Sequence, residues 1–377
     1  MSRAEEMAAL LEALVAVDTE NPPGRRLGEC AALLHDAMGT LGLAPELIRL
    51  APSGQLEEPC IVRGSYGEGP RTVYFHGHFD VVPAQRREQF RARRADGRIV
   101  GRGSADMKGG LVSMLHGAAA AGQLDGRIVL HLVCDEETGG AAGSAHLRDA
   151  GLIDPHALAM ATAEPTGGAV WHESRGALTM RVEVRGREAH VGQAHLGVNA
   201  FEGMIDLAAP LAALARELRE RGTTAVVGGA AGSGSNFNVV PGSAWFSVDC
   251  RVEPEEDLDA VAARILATIE RSAAQAGADV AVDVLQRAPP ARTDRTDPAA
   301  VALARAVEEV EGAPPRFERC PGALDTRWYA QLGIPAFAYG AGRLDVSHGP
   351  AEYIDEAAMG RCADVYSRFA GALLRTS

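Results

Sequence analysis

Thr72-Val73-Tyr74-Phe75-His76-Gly77-His78-Phe79-Asp80-Val81-Val82-Pro83 reads as a buried strand that delivers a His-X-Asp pair at its end. Its first half is apolar and β-branched, and Pro83, which has no backbone donor, stops it. Side chains two residues apart on an extended chain point to the same side, so His78 and Asp80 stand together. That arrangement suits a metal-ligating imidazole whose second ring nitrogen is held by a carboxylate. A solvated turn would show the same pair, so its meaning depends on what surrounds it.

Upstream, residues 4–16 and 26–42 carry apolar positions at helical spacing, broken by Asn21-Pro22-Pro23-Gly24. A polar, Gly-rich turn then leads into the strand. Downstream, 85–98 is charged and irregular, as a surface loop or hairpin would be. Gly101-Arg102-Gly103-Ser104-Ala105-Asp106-Met107-Lys108-Gly109 opens an Ala-rich helix over 108–122. It lacks the Lys-Ser/Thr of a phosphate loop. A second buried strand, 127–134, ends in Asp135-Glu136-Glu137-Thr138-Gly139-Gly140, and a helix follows near 142–150. Another strand, 157–163, ends in Glu164-Pro165-Thr166. Strands alternating with helices, each delivering polar residues at its C-terminal end, predict an α/β sheet with a site along that edge.

The pattern changes near Ser174. Residues 177–185 alternate apolar and polar, a long amphipathic helix spans 199–221, and strands are expected at 223–228, 236–240 and 244–252. A helix at 256–276 and a strand at 279–286 complete a β-α-β-β-α-β order of ferredoxin-like type. After the return linker Ala288-Pro289-Pro290, the α/β pattern resumes with helix 297–311, helical 324–332, strand 334–339 and helix 356–374. The expected organisation is a catalytic α/β domain (1–175 and 288–377) interrupted by a lid or dimerisation domain (176–287).

Length and composition agree with two soluble domains: 377 residues is more than one ordinary core. The formal net charge of −13 argues against nucleic acid and anionic membranes as partners. No apolar run reaches the ~20 residues that span a bilayer, and the first residues lack an apolar signal core, so a cytoplasmic location is expected. The six cysteines form no Cys-X-X-Cys pair and read as reduced, buried thiols.

Five candidate metal ligands thus sit at predicted strand ends or in adjoining loops: His78, Asp106, Glu137, Glu164 and His348. Two imidazoles and three carboxylates suit zinc, cobalt or manganese. With one carboxylate bridging, five residues can hold two metals about 3.5–4 Å apart. Glu136 and Glu137 are adjacent, so on extended backbone they point apart and can divide the labour, one ligating and one acting as general base.

These stretches resemble one family. Gly77-His78-Phe79-Asp80-Val81-Val82-Pro83, Gly101–Gly109, Glu136-Glu137-Thr138-Gly139, Glu164-Pro165-Thr166 and His348-Gly349-Pro350-Ala351-Glu352-Tyr353 occur in the order seen in the metallo-amidohydrolases and peptidases of the acetylornithine deacetylase, succinyl-diaminopimelate desuccinylase, aminoacylase and glutamate carboxypeptidase type. The resemblance covers nearly the whole chain. It implies His78, Asp106 and Glu164 on one metal and Asp106, Glu137 and His348 on the other, with Asp106 bridging. It implies Asp80 as the orienter of His78 and Glu136 as the base. In the insert, His190 matches the lid imidazole that approaches the scissile carbonyl, often from the partner subunit of a homodimer. Asn238 and Arg251 match positions facing the substrate carboxylate, and Gly322 is expected to join them. His76 shares the opening stretch but has no motif to answer to, and is expected to be a surface or core residue, although a one-residue change of register would make it the ligand.

The chain also departs from the family pattern. The lid reads Ala189-His190-Val191-Gly192 where relatives usually show Gly-His-Ser, and Ser174 stands where the desuccinylases place an Arg. The usual Trp between Pro83 and Phe90 is absent. The lid and Ala351-Glu352-Tyr353-Ile354-Asp355 lie closer to the carboxypeptidase branch. The reading is therefore a dinuclear zinc hydrolase of N-acyl amino acids, with a carboxypeptidase or dipeptidase as the alternative. A catalytically inactive binder of small carboxylates is the alternative of another class.

Overall fold

The computed structural model describes residues 1–375, and the chain divides into two compact units. The first comprises Met1–Glu173, Arg292–Cys320 and the chain from Leu324 onward; the second comprises Ser174–Ala291 and Pro321–Ala323.

In the first unit every residue of the strand Thr72–His78 is buried. Its odd and even positions serve two cores: Phe75 packs with Leu111, Met114 and Phe369 on one face, and Tyr74 with Met160, Leu147 and Tyr329 on the other. A strand covered on both faces belongs in a parallel sheet under helices. Accordingly Thr72–His78 lies between Gly126–Val133 and Ala159–Thr162, parallel to both, and Ala336–Ala338 extends the parallel run. All four strands release their C-terminal ends at one edge. The helices Gly109–Ala119 and Glu356–Leu374 pack on each other over this sheet.

Two glycines allow the loops at that edge to close up. A Cβ on Gly110 would come within 2.2 Å of the Ala163 carbonyl oxygen, and one on Gly340 within 2.2 Å of the Glu164 carbonyl oxygen. The segments on either side of Glu164 therefore approach to a distance only glycine permits.

The stretch expected to be a polar turn before Thr72 contains two strands, Glu46–Arg49 and Cys60–Glu68, which extend the sheet antiparallel beside Gly126–Val133. Gly64 and Gly67 weaken the local strand signal, and cross-strand pairing overrides it. Val170–Ser174 and Phe317–Cys320 are likewise strands that local pattern did not announce.

The second unit has four antiparallel strands in the order Thr224–Ser233, Ser243–Val252, Gly176–Arg185, Asp279–Ala288. Its two helices, Ala200–Glu220 and Leu258–Ala276, cover one face through Leu207, Leu211, Ile265 and Ile269. This is the ferredoxin-like β-α-β-β-α-β arrangement. The strand expected over 236–240 is reduced to Val239–Val240, which pairs with Ala189–His190.

Candidate metal centre

The parallel strands deliver their chemistry at one edge, as open α/β sheets do. Thr72–His78 presents His78 and Asp80, and Gly126–Val133 leads into Glu136 and Glu137. Ala159–Thr162 leads to Glu164, and the loop after Ala336–Ala338 carries His348. Asp106 arrives on the turn before Gly109–Ala119.

Asp106 stands between the two imidazoles. Its Oδ1 lies 3.3 Å from His78 Nε2 and its Oδ2 lies 3.2 Å from His348 Nε2. His348 Nε2 is also 3.2 Å from Glu137 Oε1. Two trios of donor atoms result, His78–Asp106–Glu164 and Asp106–Glu137–His348, each drawn together within 4.8 Å.

The scaffold behind them is extensively bonded. His78 Nδ1 lies 3.0 Å from the Asp80 carbonyl oxygen and 3.3 Å from its carboxylate. Asp80 is fully buried and accepts from the backbone N–H groups of Glu136 and Glu137, both at 3.2 Å, and from Asn21 Nδ2 at 2.9 Å. One carboxylate thus orients the imidazole and holds the turn bearing the glutamate pair. Glu352 plays the same part for Asp106: its Oε1 accepts the N–H groups of Ala105 and Asp106 at 3.0 and 3.1 Å. Its Oε2 accepts from the buried Arg102 guanidinium at 2.6 Å, and Arg102 also donates to the His348 carbonyl at 3.1 Å. His348 has a left-handed backbone (φ 63°), a conformation that costs energy in a non-glycine residue.

The electrostatics show a site short of positive charge. Burial pushes Glu164 up to about 8, with Asp106 adding to the effect against the pull of His78. Burial also raises Glu136 and Glu137, and nearby carboxylates reinforce it. The Asp106 and Glu137 carboxylates facing its Nε2 raise His348 to about 10. Burial works against a charged His78, yet Asp106 and Asp80 hold it well above its ordinary value. Burial likewise opposes ionisation of Asp106, but the two imidazoles outweigh it and keep its carboxyl low. Protons therefore supply the missing positive charge, and divalent cations would displace them.

The donor set fits metal on geometry as well. Among the described residues Glu137 Oε1 is buried and accepts no hydrogen bond, although His348 Nε2 faces it. Two ligands about 2.1 Å from one tetrahedral zinc stand about 3.4 Å apart, close to the 3.3, 3.2 and 3.2 Å of the His78–Asp106, Asp106–His348 and His348–Glu137 pairs. The two oxygens of Asp106 are turned to different imidazoles, as a bridging carboxylate requires.

The other expected site residues lie in the second unit. His190 and Asn238 are both exposed and are neighbours there: His190 pairs with Val239, and the Val191 N–H donates to the Asn238 carbonyl at 3.0 Å. His190 Nδ1 accepts from the Gly192 N–H at 3.0 Å. The Arg251 guanidinium faces Asp249, with Nε 3.3 Å from its carboxylate. Gly322 belongs to the same unit. Sequence reasoning did not anticipate Asn21, Arg102 or Glu352 as supports. Glu352 was inside a quoted motif, but its role depends on a backbone 246 residues away.

An α/β sheet carrying two carboxylate–imidazole trios that share one aspartate is the framework of a metal-dependent hydrolase. Residues 74–372 match the model of Peptidase family M20/M25/M40, and the chain belongs to that family. It is 30% identical over 96% of its length to the acetylornithine deacetylase of Myxococcus xanthus, covering 96% of that protein. It is 29% identical to the succinyl-diaminopimelate desuccinylase of Methylobacterium radiotolerans, over 89% of each. Among solved structures it resembles an M20 family metallo-carboxypeptidase from Sulfolobus solfataricus, with a TM-score of 0.79 at 16% identity over 98% of this chain and 99% of that one. The chain is thus a metal-dependent hydrolase of linear amides or small peptides.

Proposed function

We propose that this protein removes the acyl group from an N-acyl amino acid, using two divalent metals held by His78, Asp106, Glu137, Glu164 and His348. The observation that carries this reading is Asp106, whose two oxygens face two different imidazoles at 3.3 and 3.2 Å. The similarity to a deacetylase and a desuccinylase over most of the chain supports an N-acyl amino acid as substrate. Zinc is the metal we infer, with cobalt or manganese as substitutes, because the donor set is imidazole and carboxylate without thiolate.

Metals bound there would lower the pKa of water between them and polarise the scissile carbonyl. Glu136 takes the proton of the attacking water and returns it to the departing amine. Asp80 keeps His78 in one tautomer by receiving its Nδ1–H, and anchors the turn that aims Glu136. Arg251, released from Asp249, pairs with the substrate carboxylate, and Asn238 and Gly322 complete its recognition. His190 donates to the developing oxyanion.

A homodimer through the second unit belongs to the same reading. Thr224–Ser233 is an edge strand, and Val226, Phe201 and Ile205 of that unit are exposed apolar side chains. A cytoplasmic location is supported by six buried cysteines, of which Cys30, Cys60, Cys134, Cys250 and Cys362 form no disulfide. Among the described residues no helix is long and apolar enough to cross a membrane.

Metal analysis combined with a panel of N-acetyl, N-succinyl and γ-glutamyl amino acids and dipeptides tests the proposal. Turnover confined to peptides would replace it with a carboxypeptidase or dipeptidase reading, which the lid Ala189-His190-Val191-Gly192 and Ala351-Glu352-Tyr353-Ile354-Asp355 favour, whereas Ser174 in place of an Arg counts against a succinyl group. Absence of both metal and turnover would leave a carboxylate-binding protein.

A further inference from the structure

Behind the Glu136–Gly140 turn, charged and aromatic side chains are sealed in the core of the first unit. Asp325, Arg327, Tyr329, Ser144, His76 and His131 are each at most 1% exposed. Asp325 Oδ2 accepts from Ser144 Oγ at 2.5 Å and from His76 Nε2 at 2.9 Å. Its Oδ1 accepts from Trp328 Nε1 at 3.0 Å and lies 3.3 Å from Arg327 Nη2. The Tyr329 hydroxyl joins His76 Nδ1 and His131 Nδ1, at 3.1 and 2.8 Å. None of these residues is among the five donors or has a role in the chemistry described above.

The network's outward contact is with the catalytic turn. Arg327 Nη2 donates to the Gly139 carbonyl at 2.9 Å. Gly140 (φ 71°) rests on the same cluster: a Cβ there would lie 3.2 Å from Asp325 Oδ1 and 3.3 Å from Trp328 Nε1. Burial opposes a charged Asp325, but the hydrogen bond from His76 and the charge of Arg327 hold its carboxyl below the ordinary range. A buried ion pair of this kind adds little net stability over apolar packing. Arg327 Nε and His131 Nε2 are buried without a partner among the described residues, but the bonds the network does make rigidify what it touches, and what it touches is the turn that carries Glu136 and Glu137.

We propose that Asp325 and Arg327 are positioning residues for the reaction: Arg327, held in place by Asp325, pins the Gly139 carbonyl and so fixes the direction in which Glu136 faces the substrate. Asp80 grips this turn at its start through the Glu136 and Glu137 N–H groups, and Arg327 grips it at its end. The inference rests on Glu136 as the base. A misplacement of about 1 Å at such a group costs on the order of 100-fold in rate.

The test compares full-length wild type, Arg327→Met and Arg327→Lys in three measurements. Hydrogen exchange of residues 136–140 is followed in the metal-free protein. Cobalt content and visible absorption are recorded after loading, and kcat and KM on the N-acyl amino acid that wild type turns over best. Arg327→Met is expected to speed exchange in the turn and lower kcat about 10- to 100-fold, with KM and cobalt content unchanged. Arg327→Lys, which keeps a donor for the Gly139 carbonyl, is expected to recover part of both. Unchanged exchange and kcat would overturn the proposal, as would a kcat loss that merely follows loss of cobalt. If Arg327→Met does not fold, Ser144→Ala is read the same way, since it removes one donor to Asp325 without stranding a charge. A smaller kcat loss with faster exchange is then expected, and no change in either overturns the proposal. Wild type that neither binds cobalt nor turns over would instead sink the active-site reading, while the exchange comparison would still report on Arg327.

Discussion

Glu352 holds Asp106 by its backbone: Oε1 of the glutamate accepts the aspartate's N–H at 3.1 Å, while Oε2 closes on the buried Arg102 at 2.6 Å. The carboxylate shared by the two donor trios is therefore set by a residue outside both of them. Glu352→Ala would strand the Arg102 charge in a site only 1% exposed. Removing one partner of such a pair costs about 3–5 kcal/mol. We expect a lowered Tm in thermal unfolding and weaker metal binding by calorimetry. A variant that unfolds and binds metal like wild type would remove Glu352 from this role.

Glu136→Gln keeps the side chain's shape and removes the proposed base. Metal content by elemental analysis should stay at the wild-type level, while kcat falls by about 100- to 10,000-fold. Normal turnover would transfer the proton-handling role to another group.

Asn21→Ala tests the support beneath Asp80. Asn21 Nδ2 bonds both Asp80 Oδ2, at 2.9 Å, and Thr138 Oγ1, at 3.0 Å. Loss of an outer partner of this kind lowers metal affinity by about 10- to 100-fold. Titration of the apo-protein with zinc against a competing chelator reads the shift directly.

The pH dependence follows from Glu164 and His348. Both have folded values above their ordinary ones, about 8 against 4.5 and about 10 against 6.5. The metal-free fold therefore holds more protons than the unfolded chain. The stability these groups contribute is complete below their ordinary values and is lost as pH rises through about 8 and then about 10. Apo-protein Tm should fall from pH 6 to pH 9, and divalent metal should bind more tightly over the same range while releasing protons. Calorimetry in buffers of different ionisation enthalpy measures that release; zero release at pH 7 would contradict the charge balance described here.

Arg251→Ala should raise KM far more than it lowers kcat if this guanidinium leaves Asp249 for the substrate carboxylate. Equal activity on substrates with and without that carboxylate, in wild type, would argue against the role.

The alternation of strands and helices, and the polar residues at strand ends, could be read from residue order alone. Runs such as Thr72–His78 and Gly126–Val133 are apolar throughout because both faces are covered, and that pattern is local. The placement of His78, Asp80, Asp106, Glu136, Glu137, Glu164 and His348 at strand ends or in adjoining loops was legible for the same reason. Cys60–Glu68 was not legible, because its glycines and charges are overridden by pairing with Gly126–Val133. Nor were the supports: Asn21 meets Asp80 across 59 positions, Glu352 meets Asp106 across 246, and Arg327 meets Gly139 across 188. His76 shows the division most plainly. From its neighbours in the chain it could be a competitor for His78, a surface residue or a core residue, and packing gave it Asp325 and Tyr329 as partners. Hydrophobic periodicity is a property of neighbouring residues and survives in the one-dimensional chain. Hydrogen-bond partnership between distant segments arises only when the sheet brings their ends to one edge.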